Sequence, residues 1–250
     1  MIDMHCHILP GLDDGPKLLK ETIAMAKTAA SQGIVTIIAT PHHNNGRYIN
    51  EKVHLVGATD FMNAELEQLR IPVEILPGQE IHMYEEMVND LEHGILLPLN
   101  QSTKYVLIDL QDRFLPPFTL RLLFDLQIAG YIPVIAHPER NNGVISNPDI
   151  LYDMVKNGAL VQADASSIVG GNGKKARKLT REMLDANLVH FIASNAHQAK
   201  NDQLGRAYRS LDSGTADLLQ ENSELLINNR PIAKHVPSRL AKKRFRKFLN

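Results

Sequence analysis

Histidines and carboxylates recur in this chain at the ends of short apolar runs. The chain has eleven histidines and no tryptophan. The first run closes on His5-Cys6-His7, with Asp13-Asp14 just beyond; the second closes on Thr40-Pro41-His42-His43. The third ends Gly78-Gln79-Glu80, and the fourth carries Asp109. The fifth ends Ala136-His137-Pro138-Glu139-Arg140, the sixth leads to Asp164, and the seventh ends Ser194-Asn195-Ala196-His197. Imidazole and carboxylate together, without thiolate, suit Mn²⁺, Fe or Zn²⁺ and argue against a structural cysteine–zinc site. Nine candidate ligands are too many for one ion, so two to three ions are expected. Two ions about 3.5–4 Å apart can clamp an in-line phosphoryl displacement. A bridging carboxylate is then needed, and Glu80 is the candidate.

Residues i and i+2 of a strand point the same way. His5 and His7 are therefore expected to face a barrel axis, with Met4, Cys6 and Ile8 facing helices. The competing reading of such a pair is a hydrogen-bonded couple of core histidines; six further strand ends of the same kind favour ligation. Arg140 lies three residues after His137, where a guanidinium can grip phosphate oxygens in bidentate fashion. The competing reading of Arg140 is a surface ion pair, for instance with Glu139.

The elements that must position these groups follow from periodicity. Apolar runs at Ile2–Ile8, Ile34–Thr40, Val73–Ile81, Tyr105–Leu110, Ile132–Ala136, Leu160–Ala163 and His190–Ser194 read as buried parallel strands. Helical patterns lie between them. In 17–32 the stripe is Leu19, Ile23, Ala26 and Ala30, closed by Gly33. In 117–129 it is Leu120, Leu123, Phe124 and Ile128, followed by Gly130. A third helix over 148–157 opens on Pro148 and closes on Gly158. Strand and helix alternating about seven times define an α/β fold. In a parallel barrel the C-terminal strand ends share the face that carries the chemistry. One domain is expected over 1–237, with a basic tail over 238–250.

The remaining features exclude or add little. The 27 basic and 28 acidic residues give no global attraction to nucleic acid. A single cysteine, Cys6, rules out an internal disulfide framework and fits a reducing cytoplasm. No signal-peptide pattern and no run long enough to span a bilayer is expected. Cys6 lacks the arginine six positions on that cysteine phosphatases use; Leu12 stands there. Gly170–Lys175 falls short of a phosphate loop and reads as a mobile basic loop near the active face. His54, His82, His93 and His235 fall away from the strand ends and are given no role; His190 opens a strand and belongs to the opposite face. In the tail, Arg239, Lys242, Lys243, Arg244, Arg246 and Lys247 alternate with Leu240, Phe245, Phe248 and Leu249. That segment reads either as solvated chain or as a peripheral contact with anionic lipid at the inner face of the membrane.

Met1-Ile2-Asp3-Met4-His5-Cys6-His7-Ile8-Leu9-Pro10, Asp13-Asp14-Gly15, Thr40-Pro41-His42-His43, Pro77-Gly78-Gln79-Glu80 and Ile135-Ala136-His137-Pro138-Glu139-Arg140 together resemble the CpsB/CapC-type bacterial protein-tyrosine phosphatases. These belong to the PHP (polymerase and histidinol phosphatase) superfamily, and the resemblance covers residues 1 to about 230. It implies a distorted (β/α)₇ barrel, a trinuclear centre often filled by manganese or iron, and hydrolysis of phosphotyrosine on the tyrosine-rich tail of a bacterial kinase that controls capsule or exopolysaccharide synthesis. By position, the resemblance places one ion on His5, His7, Glu80 and Asn195, a second on Glu80, Asp109 and His137, and a third on Asp14, His42 and His197. Arg140 matches the phosphate-binding arginine, and His42 and Asp14 join it in the catalytic group. Three positions depart from the family pattern: Asn195 replaces an aspartate, Asp109 a glutamate, and Asp202 a second phosphate-binding arginine. Arg206 or Lys200 would have to serve in place of that arginine. No phosphocysteine or phosphohistidine intermediate is required. The rivals are a small-molecule phosphatase, such as one for histidinol phosphate, and a weakened relative that binds the phosphorylated tail without turnover. Oligomeric state is left open.

Overall fold

The computed structural model describes residues 1–110, 115–199 and 203–240. Each apolar run forms a strand: β1 Ile2–Cys6, β2 Thr36–Ala39, β3 His42–His43, β4 Glu74–Pro77, β5 Glu80–His82, β6 Tyr105–Asp109, β7 Ile132–Ala136, β8 Leu160–Asp164 and β9 Phe191–Ala193. All pairings are parallel, in the orders β1-β2-β4 and β3-β5-β6-β7-β8-β9. The second and third runs are each interrupted once, because Pro41 has no N–H to give a ladder and Gly78 sits against its neighbour. A Cβ at Gly78 would lie 2.9 Å from Ile38 Cγ2, so only glycine fits there. Since β2 continues into β3 and β4 into β5, the nine strands make seven staves. The ring is drawn shut at the mouth, where Asn195 N–H donates to His5 O and His7 N–H to Ala196 O, both at 2.9 Å. The result is a distorted (β/α)₇ barrel.

The helices are α1 Leu19–Ser31, α2 Lys52–Gln68, α3 Met87–Glu92, α4 Thr119–Ile128, α5 Asn142–Ser146, α6 Asp149–Lys156, α7 Ala165–Val169, α8 Gly173–Asp185, α9 Leu204–Arg209 and α10 Ser213–Ile227. Outward-facing strand residues such as Ile37, Val106, Ile135 and Val161 share one core with Met25, Leu122, Leu151 and Met183 of the helices. Inward-facing Ile38, Leu107, Val134, Leu160 and Phe191 form a second core inside the barrel, joined by Leu226 and Ile232. Burying each such side chain contributes about 1.5–3 kcal/mol. The apolar plug fills the barrel below the C-terminal strand ends, where the candidate ligands stand.

Two expectations about facing are corrected. Met4 belongs to the core inside the barrel, not to the helix side. The register runs Asp3↔Ile37 and then Cys6↔Ala39, so β1 carries one extra residue there. Such a bulge resets the alternation and lets Met4 and His5 both turn inward. In α4 the buried residues are Thr119, Leu122, Leu123 and Leu126, while Leu120, Phe124 and Ile128 are exposed. That helix is apolar on more than one face, so periodicity alone could not select the one that meets the sheet.

The glycine-rich stretch at 170–175 is not a loose loop. Gly170 closes α7 at φ 95° and α8 begins at Gly173. The tail is bound at its start: Ser238 N–H donates to Ala186 O, Arg239 pairs with Asp149 and Asp153, and Leu240 is buried. Residues 241–250, which hold the rest of the basic tail, lie outside the described residues. Among the described residues, no helix is long and apolar enough to cross a membrane.

Candidate metal centre

The strand ends bring three overlapping groups of ligands within reach of one another: His5, His7 and Glu80; Glu80, Asp109 and His137; and His7, Asp14, His42 and His197. Glu80, at the start of β5, lies among them. Its Oε1 is 2.7 Å from His137 Nε2 and 3.5 Å from His5 Nε2. Its Oε2 is 2.7 Å from His42 Nδ1 and 3.4 Å from His7 Nε2. On the outer side Asp14 Oδ1 lies 3.4 Å from His42 Nε2 and 3.3 Å from His197 Nε2.

The imidazoles are held from behind. His5 Nδ1 meets Gln162 Oε1 at 3.0 Å, His7 Nδ1 meets Asp13 Oδ2 at 2.6 Å, and His197 Nδ1 meets the Asn195 carbonyl at 3.0 Å. Those oxygens only accept, so each Nδ1 carries a proton and each ring turns its Nε2 inward. The Nε2 atoms of His5 and His7 then face each other at 3.3 Å. Two lone pairs that close need a proton or a metal cation between them. Asn195 Oδ1 and Glu80 Oε2 are also buried without a well-aligned hydrogen-bond donor. These acceptors fit divalent ions bound by nitrogen and oxygen.

Protonation follows the same logic. Burial works against a charged His7, but hydrogen bonds and charges from Asp13 and Glu80 outweigh it and hold its pKa up at about 10. Burial likewise opposes charge on His137, yet Glu80 and then Asp164 raise it to about 9. Glu80 stays ionised well below its ordinary range: burial resists this, and the surrounding histidines prevail. His197 is pushed down to about 4, by burial first and by the charge on His7 second. Without metal, the inner site therefore holds protons where cations would sit.

Asn195 adopts φ 48° and His137 φ 31°, both left-handed. Asparagine tolerates that region better than most side chains. The Asn195 amide Nδ2 donates to Asp164 Oδ2 at 3.3 Å. Arg140, in the 3₁₀ turn Pro138–Arg140 after β7, stands at the rim and pairs with Asp164 at 3.0 Å rather than with Glu139. Asp202 and Lys200 lie outside the described residues. Arg206 lines a separate cleft of about 710 Å³ with Arg177 and Arg181.

Sequence reasoning gave His82 and Gln162 no role, and named Asp13 and Asp164 only as strand-end groups able to bind a metal, not as supports. Asp13 orients His7 and also accepts from His42 N–H at 3.0 Å. His82, given no role, lies on β5 with its Nδ1 3.2 Å from Asp109 Oδ2; its i+2 spacing from Glu80 was a usable signal. Gln162 and Asp164 share the inward face of β8, which the same alternation could have revealed.

Comparison with known proteins gives the family and the fold. Residues 1–229 match the family described as Capsular polysaccharide synthesis, CpsB/CapC. The tyrosine-protein phosphatase YwqE of Bacillus subtilis is 44% identical over 243 residues, covering 95% of each chain. A solved structure from work on YwqE of Bacillus subtilis and CpsB of Streptococcus pneumoniae, described as metal-dependent tyrosine phosphatases, superposes with a TM-score of 0.93. It is 43% identical and spans 97% of this chain and 100% of its own. A histidinol phosphate phosphatase from Lactococcus lactis is 14% identical, with a TM-score of 0.55 over 86% of this chain and 93% of its own. That likeness extends to the fold.

Proposed function

This chain belongs to the CpsB/CapC capsular polysaccharide synthesis family, and from that membership we propose that it is a metal-dependent protein-tyrosine phosphatase. Its substrate on this reading is the phosphorylated tail of a bacterial tyrosine kinase that governs capsule or exopolysaccharide synthesis. The observation that carries the proposal is the convergence of three ligand groups at the strand ends, two of them sharing Glu80 and two sharing His7, with Arg140 at the rim.

His5, His7, Glu80 and Asn195 would hold one ion, Glu80, Asp109 and His137 a second, and Asp14, His42 and His197 a third, with manganese preferred over iron or zinc. Bound ions would neutralise phosphate oxygens and acidify a water for in-line attack on phosphorus. Arg140 orients the phosphate through its fork of N–H donors and stabilises charge as the bond breaks. Asp13 and Gln162 keep the inner imidazoles in the tautomer that faces the mouth. His42 and Asp14 flank the open side, where the leaving group departs. A phenol has an ordinary pKa of about 10, so its phenolate leaves with less proton assistance than a serine alkoxide. On this reading the protein works in the cytoplasm, and the basic residues after Leu240 would meet anionic lipid at the inner membrane face.

Asn195 favours one second reading, a relative that holds the phosphorylated tail without turnover, because an amide brings no charge to the first ion. Metal-stripped protein titrated with Mn²⁺ on a phosphotyrosine peptide, beside Asn195→Asp and with histidinol phosphate as the competing substrate, separates them. Turnover of the peptide by the wild type is expected. Turnover by the variant alone would favour the binding reading, and turnover by neither would overturn the phosphatase.

A further inference from the structure

Asp164 closes β8 and is 2% exposed, yet none of the three ligand groups includes it. Its Oδ2 receives Arg140 Nη1 at 3.0 Å, Asn172 Nδ2 at 3.2 Å and Asn195 Nδ2 at 3.3 Å. Its Oδ1 receives Gln162 Nε2 at 3.4 Å, and its backbone N–H donates to the fully buried Glu139 at 2.9 Å. A buried carboxylate is costly unless donors surround it. Here the donors come from β8, from the turn before α8, from the end of β9 and from Arg140 itself.

The Arg140 side chain is 47% exposed. Among the described residues, its one hydrogen bond is to Asp164. One corner of the fork is anchored, and among the described residues the other donors have no hydrogen-bond partner. Fixing a long side chain beforehand removes rotamer entropy that phosphate binding would otherwise have to overcome. The Asn195 amide makes the harness specific to this sequence. Its nitrogen holds Asp164, while Oδ1 is buried and has no hydrogen-bond partner among the described residues. An aspartate at 195 has no N–H to give and would set a second carboxylate against Asp164.

We propose that Asp164 is a positioning residue that fixes the Arg140 guanidinium at the rim for the substrate phosphate, steadied from the other side by the Asn195 amide. This rests on the reading of Arg140 as the phosphate arm.

The test uses the manganese-loaded full chain, with Asp164→Asn, the more exposed Asn172→Ala, Arg140→Ala and the Asp164→Asn/Arg140→Ala double variant. Inorganic phosphate binding is measured by calorimetry, KM and kcat with p-nitrophenyl phosphate, and bound ions by elemental analysis. Asp164→Asn should weaken phosphate binding and raise KM about tenfold, the strength of one charge-assisted hydrogen bond. The loss should fall on KM more than on kcat, with the ion count unchanged. Asn172→Ala should shift phosphate binding the same way by about twofold, and this variant decides the matter if Asp164→Asn does not fold. In the Arg140→Ala background, Asp164→Asn should add nothing. Unchanged phosphate binding, full additivity with Arg140→Ala, or loss of ions would overturn the proposal. A wild type that binds phosphate but hydrolyses no ester would count against the phosphatase reading alone, since the binding comparison stands without turnover.

Discussion

Two groups of ligands share the mouth of this barrel, and they are built on different terms. The inner group is sealed from water: His5 is 0% exposed, and His7 and Glu80 are 1% exposed. Gln162 and Asp13 hold its imidazoles from behind. In the outer group the side chains of His42, His197 and Asp14 are 18%, 26% and 46% exposed. Charge divides them as well. His7 and His137 keep protons up to about 10 and about 9, whereas His197 is neutral down to about 4. The inner site is a preorganised anionic well whose raised histidines hold protons at neutral pH until a metal displaces them. The outer site is open, and solvent competes for its ligands. An ion there should be the first to leave under a chelator.

Glu80→Gln is the strongest test of this contrast, because Glu80 belongs to two of the three ligand groups. Activity should fall about 10³-fold or more, corresponding to several kcal/mol of lost charge stabilisation, and elemental analysis should show the inner ions gone. Loss of the outer ion alone would break the distinction.

Asp13 and Asp14 are adjacent but act differently, Asp13 orienting His7 from behind and Asp14 offering an oxygen to the outer group, which makes them a sharper pair. Asp13→Ala frees the His7 ring and should weaken inner metal binding about 10–100-fold. Asp14→Ala should remove a single ion from the outer site. Native mass spectrometry of each variant counts the ions directly.

Acidity gives a third handle. Metal must displace protons from His7 and His137 at neutral pH, so inner affinity should rise with pH and level off near about 10. His197 carries no proton to displace above about 4, so the outer site should lack that slope on its account. Calorimetry in buffers of different ionisation heat reads the protons released; equal release from both sites would remove the distinction.

The smallest effect lies at the far end of the barrel. His190 Nδ1 accepts Val161 N–H at 3.1 Å. Burial, with help from the charge of Lys234, pushes its pKa down to about 4. The folded state keeps His190 neutral, so its contribution is full above about 6.5 and is lost as pH falls toward 4, by up to about 1.4 kcal/mol per pH unit. Urea midpoints at pH 4.5 and 7 should differ less for His190→Gln than for the wild type.

Much of this architecture was legible before the fold was seen. Seven apolar runs, each ending in a potential ligand, dictate parallel staves with chemistry at one end, because alternation and burial are local properties of the chain. His5, His7, Glu80 and His137 could be singled out on that ground alone. The bulge that turns Met4 inward, the choice of Leu122 over Leu120 on α4, and the Asp109–His82 and Arg140–Asp164 pairs could not. Each depends on which strand or helix lies alongside, and a side-chain period cannot report a neighbour that arrives from 24 or more residues away. The sequence alone determined which residues could bind metal and at which end of the barrel they lie. Tertiary structure decided which of them are buried, which hold protons and which partner aims each one, because burial and cross-strand contact exist only once the staves close.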